Sequence, residues 1–453
     1  MKRLWLSVPP CMSDVLGFQA VMEVTKGAGI VDDSSQYKPL PQDRTGAPEG
    51  HGRHDRHGDG REGHRERRGV AKEYRERYER RAESGKSYTG TTPGVREEKT
   101  RRRGIPFNPG KLFPGVRVVS SEIEETDVIT GSDKKVARAA QLAEREFHPD
   151  FMLFTTAPCA SMIASDLDQS AEKVQDLYGI PAAVVKLDGQ KDYLYGISCT
   201  LLAMGKLLLK KQEKIPGTVN LLGLNKVDWT DEMLWSAEEW LDEAGIQVLS
   251  RWGMQEKTER LRTAAGASVN LVVGVAGMRL AVYMEREFGI PYIVGAPFGN
   301  RQCGILLSQL KAVMRGESVA PVMINQNNPE ADKQAEPEIL ILGEQMLGNA
   351  IRNALETEEG NRRIRVCSFY EFDKKLARPG DRKLFSEEEL AGQLVNPSLR
   401  VVFGDEDYWL EEAEAVQWIA LPNRANLAPS TPMEPVNLVG VNLDLWLKHK
   451  LEV

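Results

Sequence analysis

Two of the five cysteines stand in the same kind of place, directly after a proline and where an apolar stretch gives way to a helical pattern. Cys11 lies in SVPPCMSDVLGFQAVM and Cys159 in FTTAPCASMIASDL. Helix N-termini carry partial positive charge and spare N–H groups, and both stabilise a thiolate. Thiolates hold iron–sulfur clusters, and two of them are half of what a [4Fe–4S] cluster needs. The pattern therefore predicts Cys11 and Cys159 as cluster ligands.

The other three cysteines favour different interpretations. Cys199 lies in the apolar helical stretch ISCTLLAMG and Cys367 in the strand-like RVCSF, so both are predicted to be small core residues. Cys303, in GAPFGNRQCG, follows a predicted strand end and could face a cleft.

Residues 40–105 differ in composition from the rest of the chain. The stretch HGRHDRHGDGREGHRERRG contains no aliphatic or aromatic residue and cannot bury apolar surface, so we predict a disordered or surface insertion within the first domain. Its histidines are candidate ligands for Ni²⁺ or Zn²⁺, although we favour a solvated loop because the arginine neighbours oppose cation binding. These candidates are His51, His54, His57 and His64.

Composition and hydropathy exclude several classes of protein. A length of 453 residues suggests two to four domains, and the net charge of −7 argues against general nucleic-acid binding. No apolar run approaches the ~18 residues that a membrane helix needs. The apolar run before Pro9 is shorter than the ~7–15 residues of a signal peptide, so we expect no secretion. Few, widely spaced cysteines suit a reducing compartment, and we expect a cytoplasmic location.

Short apolar runs alternate with amphipathic stretches after Gly115, which indicates βαβ units with parallel sheets. The predicted fold class is α/β with three Rossmann-like αβα domains. Their boundaries are predicted at 1–39 with 106–212, at 213–319 and at 335–453. Because ligands bind at the carboxyl ends of parallel strands, Cys11 and Cys159 could meet at one edge of the first sheet.

Common catalytic motifs are absent from the sequence. It contains no G-x-x-x-x-G-K-[ST] loop, no G-x-G-x-x-G after a strand and no G-x-S-x-G elbow. The glycine-rich turn GVAGMRLA at 274–281 is predicted to serve packing rather than phosphate binding.

Several segments together resemble the nitrogenase component 1 superfamily. PDFMLFTTAPCASMIASDLDQSAEKVQDLYGIPAAVVKLDG is similar to the family's strand, threonine-rich turn, cysteine, helix and G-I-P pattern. EIEETDVITGSDKKV is similar to its acidic-D-V-V-F-G-G-x-x-K-L segment, and residues 9–37 are similar to its N-terminal cysteine segment. SVNLVVG followed by FGIPYIVGAPFG resembles its second domain.

The resemblance implies three Rossmann-like domains, a paired second subunit and electrons from an ATP-hydrolysing iron protein. Cys11 and Cys159 match two of the three cysteines that hold the family's interfacial cluster, and Ser34 and Ser35 stand where the third is expected. Serine ligates iron less readily than cysteine, so the eight-iron cluster is not expected. Two identical chains would instead supply four thiolates to a [4Fe–4S] cluster, and a heterodimer with a cysteine-richer partner would also work.

A molybdenum cofactor is not expected, because residues 215–302 contain no cysteine and His449 is the only histidine after His148. We therefore predict a nitrogenase-like reductase subunit that does not fix nitrogen, with a tetrapyrrole as one candidate substrate. Candidate cleft residues are Gly189–Gln190, Asn225 and Gly295–Asn300. The alternatives are a non-catalytic scaffold or carrier for metallocofactor assembly, and an αβ binding protein whose cysteines only pack.

Overall fold

The computed structural model contains three parallel β-sheets, each flanked by helices, as the α/β pattern predicts. It describes residues 13–22, 26–33, 117–161, 166–321, 336–358, 362–421 and 436–451. The predicted insertion at 40–105 lies outside the described residues, and the domain boundaries stay predictions.

The first sheet has the strand order β2–β1–β3–β4, and every neighbouring pair is parallel. Its strands are β1 (Ala28–Asp32), β2 (Val118–Ser120), β3 (Met152–Thr156) and β4 (Ala182–Val184). The helices of this unit are α1 (Asp14–Met22), α2 (Asp127–Thr130), α3 (Asp133–Phe147), α4 (Pro158–Ser161) and α5 (Leu167–Tyr178), and α6 (Tyr193–Leu208) leads to the next unit.

The second sheet repeats this layout with the order β6–β5–β7–β8. Its strands are β5 (Ile215–Leu222), β6 (Gln247–Trp252), β7 (Ala267–Val272) and β8 (Tyr292–Val294). The helices are α7 (Asp231–Glu243), α8 (Thr258–Thr263), α9 (Met278–Phe288) and α10 (Asn300–Met314).

The third sheet is wider, with the order β11–β10–β9–β12–β13. Its strands are β9 (Ile339–Leu342), β10 (Ile364–Ser368), β11 (Arg382–Lys383), β12 (Val401–Gly404) and β13 (Gln417–Ala420). The helices are α11 (Gln345–Glu358), α12 (Glu387–Leu394) and α13 (Val441–Leu451). Among the described helices none is long and apolar enough to cross a membrane.

Local capping determines where several helices begin. The carboxylate of Asp192 accepts a hydrogen bond from the backbone N–H of Tyr195 and so starts α6. Asp166 does the same for Gln169. Helix α5 therefore begins at Leu167, whereas the sequence predicts one helix from 161 to 179. Helix α10, which begins directly after Gly299, was not predicted.

The closest helix crossing in the first unit joins α1 to α6. All nine residues of α1 are buried, so this helix is enclosed on every side rather than amphipathic. Glycine permits the approach: a Cβ on Gly196 would lie 1.9 Å from the backbone oxygen of Asp14, and a Cβ on Gly17 would lie 2.1 Å from that of Tyr193. The backbones of α1 and α6 therefore touch without side chains between them.

We predict that Gly196→Ala destabilises the protein, because the new methyl group must push α1 away from α6. Overpacking of this kind costs about 1–3 kcal/mol. The measurement is the urea midpoint of unfolding. Gly304→Ala in α10 is the matched control: its Cβ would meet no atom within 4 Å, and alanine at an exposed helical site stabilises by about 0.5–1 kcal/mol. Equal midpoints for the two variants would contradict the close crossing.

Candidate functional site

The candidate site lies at the carboxyl edge of the first sheet, between β1 and β3. These two strands are neighbours, and β2 and β4, the strands that follow them in the sheet's chain order, lie on opposite outer sides of the pair. Ligands of doubly wound folds bind where the strand order reverses in this way. In the sequence, Ser34 and Ser35 follow the end of β1 by two and three residues, and Cys159 follows the end of β3 by three residues. The described backbone thus carries Cys159 to the predicted sheet edge, within helix α4.

Asp32, the last residue of β1, connects the strand ends around this crevice. Its side chain is fully buried and accepts hydrogen bonds from the hydroxyls of Ser121, at 2.6 Å, and Ser132, at 2.7 Å. Its backbone oxygen accepts a hydrogen bond from the N–H of Ala157 at 3.1 Å. Because Ala157 precedes Pro158 and Cys159, this bond positions the start of α4 against the end of β1.

The loop 187–192 contacts the end of β3 and the start of α4. The hydroxyl of Thr156 donates to the backbone oxygen of Leu187 at 2.6 Å. Pro158 packs so closely on Gly189 that a Cβ there would lie 2.2 Å from its ring, and Gly189 has a positive φ of 74°. Glycine is required at this position by both the space and the backbone conformation.

The same loop also contacts the beginning of α1. The backbone N–H of Asp14 donates to the oxygen of Lys191 at 2.9 Å, and the N–H of Asp188 donates to the Asp14 carboxylate at 3.4 Å. Asp14 is three residues beyond Cys11 in the sequence, and Pro158 directly precedes Cys159. One loop therefore holds the described chain next to each candidate cysteine.

Asp14 is the buried acid of this region. Burial raises the pKa of its carboxyl to about 6, although hydrogen bonds from the backbone of Asp188 and Val15 oppose the shift. The Val15 N–H donates to this carboxylate at 2.8 Å. Asp14 was not identified from the sequence, where only its place in the first turn of a predicted helix was visible.

The structure describes the backbone position of only one of the predicted ligands. Cys159 lies in α4, of which the backbone is described. The other predicted ligands lie outside the described residues: Cys11, Ser34, Ser35, His51, His54, His57 and His64. Within the described ranges, no group of three or more His, Cys, Asp and Glu side chains could hold a metal ion. The meeting of Cys11 and Cys159 stays a prediction.

The remaining cysteines have packing roles, and two of them differ from the prediction. Cys367 is fully buried, as predicted for a core residue, and burial raises the pKa of its thiol to about 12. Cys303 does not face a cleft: it is 5% exposed in α10, and its thiol donates to the backbone oxygen of Pro297. Cys199 is only partly buried, because its side of α6 meets Tyr195 and Arg279 rather than the core alone.

The glycine-rich turn at 274–281 serves packing, as predicted. A Cβ on Gly274 would lie 2.5 Å from the backbone oxygen of Gly223, and one on Gly277 would lie 2.6 Å from the backbone of Leu222. Val275 and Ala276 between them are buried. The turn is therefore filled by the backbone that follows β5 and leaves no cradle for a phosphate.

Curated relatives share part of this chain. It is 31% identical over 186 residues to the nitrogenase iron-molybdenum cofactor biosynthesis protein NifE of Clostridium pasteurianum, covering 40% of each chain. It is 24% identical over 206 residues to the nitrogenase molybdenum-iron protein alpha chain of Methanothermobacter marburgensis, covering 43% of each. A light-independent protochlorophyllide reductase chain of Zygnema circumcarinatum is 24% identical over 195 residues, which are 40% of this chain and 38% of that one. The chain thus spans about two fifths of the length of these relatives.

A solved structure and a family model extend the comparison. A chain of the structure titled "Nitrogenase Cp1 at pH 6.5" superimposes with a TM-score of 0.62 at 11% identity, covering all of this chain and 93% of that one, which shows a shared fold. A sequence model of the nitrogenase component 1 type oxidoreductases matches residues 96–357. That match covers more than half of the sequence, and the chain therefore belongs to the nitrogenase component 1 type oxidoreductase family.

Proposed function

We propose that this chain is the cluster-holding subunit of a nitrogenase-like reductase in a reducing cytoplasm. Cys11 and Cys159 hold an iron–sulfur cluster at the carboxyl edge of the first sheet. An ATP-hydrolysing iron protein supplies electrons one at a time, and a substrate between the three αβ units receives them. The observation that carries this proposal is the loop 187–192, which contacts Asp14 next to one cysteine segment and Pro158 next to the other.

The donor chemistry of the chain fits such a cluster. Two thiolates per chain make four across a two-fold axis, which is the ligand set of a [4Fe–4S] cluster. When bound, the cluster would carry single electrons. The protein's own residues would keep its ligands in place: Asp32 ties the ends of the strands together, and Pro158 on Gly189 limits movement of α4. Ser34 and Ser35 are the oxygen donors that could replace a missing third cysteine.

The partner for electron delivery would dock at the same edge. Ile129 in α2 is 90% exposed, which is unusual for a large aliphatic side chain. The segment that leads into α2 runs along the crevice, because the N–H of Ile123 donates to the backbone oxygen of Asp33 at 2.8 Å. Lys135 forms ion pairs with Asp127 at 2.7 Å and Glu124 at 3.3 Å, which orders the segment. An exposed apolar residue beside the proposed cluster suits a transient protein contact.

The iron content of the chain tests the cluster directly. After strictly anaerobic purification we expect about two irons and two sulfides per chain, as for one [4Fe–4S] cluster shared by a homodimer. Cys159→Ala and Cys11→Ala should each lose this iron. Cys199→Ala is the matched control, because Cys199 is a partly buried thiol on α6 that the proposal does not use.

Two outcomes of this measurement would change the proposal. About four or more irons per chain would indicate a larger or second cluster and would favour Ser34 or Ser35 as ligands. Wild-type protein without iron, alone and with a co-expressed second component 1-like subunit, would overturn the cluster and leave the αβ binding protein.

Docking at Ile129 is tested by a charge substitution. We expect Ile129→Asp to slow ATP-dependent reduction of the cluster by the iron protein at least about tenfold, because the new carboxylate must be desolvated in the contact. Leu177→Asp is the control, since Leu177 is also highly exposed (74%) but lies on α5. The rate is followed by the loss of visible absorption. Equal rates for the two variants would remove α2 from the docking surface.

The second candidate function is assembly of a metallocofactor. It is favoured by the relative from Clostridium pasteurianum, which is named a cofactor biosynthesis protein. In this role the chain would hold a cluster or cofactor temporarily and release it to an acceptor. A molybdenum cofactor is not part of either proposal, because residues 215–302 contain no cysteine to hold one.

Retention of the cluster separates the two candidate functions. The cluster of a reductase should be reduced by the iron protein with MgATP, remain on the chain and be oxidised again when a tetrapyrrole such as protochlorophyllide is added. The cluster of a scaffold should move to an apo component 1 subunit, and the iron would co-elute with that acceptor on gel filtration. Iron that stays bound while electrons turn over supports the reductase, and iron that transfers without turnover supports the scaffold.

A further inference from the structure

Three ionisable side chains, one from each αβ unit, meet where the units join. Tyr193 lies in the first turn of α6, Asp228 in the loop after β5, and Glu344 in the turn after β9. Tyr193 is fully buried, Glu344 is 6% exposed, and Asp228 is partly buried. None of the three belongs to the crevice beside Cys159.

Asp228 joins the first unit to the second. The hydroxyl of Tyr193 donates to one oxygen of the Asp228 carboxylate at 2.7 Å. The side-chain amide of Asn225 donates to the other oxygen at 2.9 Å. Asn225 was a predicted cleft residue, and its role here is to orient this acid.

Glu344 joins the third unit to the second. One of its carboxylate oxygens accepts a hydrogen bond from the backbone N–H of Val275 at 3.3 Å, and the other accepts one from Leu347 at 2.8 Å. Val275 stands in the packed turn after β7, directly beside the backbone that follows β5. Each of the two carboxylates is therefore itself a contact between units.

The groups around Asp228 and Glu344 are hydroxyls and amides, and the charge of Asp228 also acts on Glu344. Tyr193 also packs edge-on against Tyr370 at 5.3 Å between ring centroids, and the Tyr370 and Tyr408 hydroxyls are 2.9 Å apart. In the part of the chain that the structure describes, neither Asp228 nor Glu344 forms an ion pair with lysine or arginine. Burial raises the pKa of Asp228 to about 6 and that of Glu344 to about 7, and the charge of Asp228 adds to the second shift.

We propose that Asp228 and Glu344 form a proton-dependent latch between the three αβ units. With a proton on the pair, Tyr193, Asp228 and Glu344 stay packed at the junction. When the pair loses its protons, the negative charge of Asp228 repels that of Glu344. No lysine or arginine of the described residues pairs with either acid, and the units separate locally. Partial exposure of Asp228 gives the proton a route to solvent.

The direction of the pH dependence follows from proton binding. Both folded-state pKa values lie above the ordinary values of 3.8 and 4.5, so the folded protein holds more protons than the unfolded chain. The stabilisation is fully present below about pH 4 and is lost as the pH rises through about 6 to 7. Above about pH 8 the latch is open and no further loss is expected.

Hydrogen exchange measured by mass spectrometry tests the latch. Peptides that contain Val275, whose N–H bond to Glu344 crosses between two units, should become at least about tenfold less protected between about pH 5.5 and about pH 8, after correction for the intrinsic exchange rate. Asp228→Asn should reduce this difference, because the amide retains partners in Tyr193 and Asn225 but cannot ionise. Asp228→Asn combined with Glu344→Gln should abolish it, because burial keeps the pKa of Glu344 raised in the single variant. Asp176→Asn, an exposed carboxylate on α5, is the control and should behave like the wild type.

Infrared spectroscopy provides a second test. A carbonyl band of buried protonated carboxyl should be present near pH 5.5 and disappear by about pH 8, and it should be weaker in Asp228→Asn, because Asp14 also contributes to it. A band that Asp228→Asn leaves unchanged would overturn the proposal, as would equal protection of the junction peptides at both pH values. Because neither measurement requires iron, failure of the latch is distinguishable from failure of the cluster.

Discussion

The direct contact between the backbones of α1 and α6 is the constraint on which the first unit depends. Gly17 and Gly196 remove the side chains that would otherwise separate the two helices. The contact places Asp14 against the loop 187–192, and that loop in turn packs on Pro158. The chain near both candidate cysteines is therefore positioned by backbone packing rather than by a mobile surface loop. Such positioning suits a redox site, since a cluster's ligands must keep their geometry while electrons move.

Buried hydrogen bonds also hold segments of the first unit in place. Asp32 ends β1 in the interior, where an unpaired carboxylate would be costly, and two serine hydroxyls offset that cost. The serines come from segments that follow β2, so these bonds fix the ends of β1 and β2 relative to one another, and the backbone bond from Ala157 to Asp32 adds the end of β3. A buried polar contact also joins two segments of the third unit: Arg352 of α11 forms an ion pair at 2.8 Å with Asp381, which directly precedes β11. Polar groups in this fold thus mark the places where separate segments must be held in register.

Most strands could be predicted from the sequence, because buried parallel strands are continuous apolar runs. The apolar runs FMLFTT and EILILG predict β3 and β9, and the first of them also predicts that Cys159 follows a strand. The bond between Asp32 and Ser121 could not be predicted, since the two residues are 89 positions apart and only folding brings them together. Helix α10 was missed because its N-cap, Gly299, has no side chain, and the oxygen that accepts from the N–H of Asn300 belongs to Asp444, 144 positions away. The half-buried state of Cys199 depends on Arg279 from another helix, which no local pattern contains.

Tyr193 contacts both the crossing of α1 with α6 and the junction of the three units. Its backbone oxygen lies under Gly17 of α1, on the side of the candidate cluster, while its hydroxyl is bonded to Asp228 at the junction of the units. If loss of the proton moved α6, α1 would therefore move with it, because the two backbones are in direct contact at Gly17 and Gly196. Reduction of an organic substrate consumes protons together with electrons, so a contact between the proposed latch and the supports of the proposed cluster would provide a physical means of coupling the two. The first turn of α6 forms this contact, because Tyr193 packs on α1 through its backbone and bonds to Asp228 through its hydroxyl.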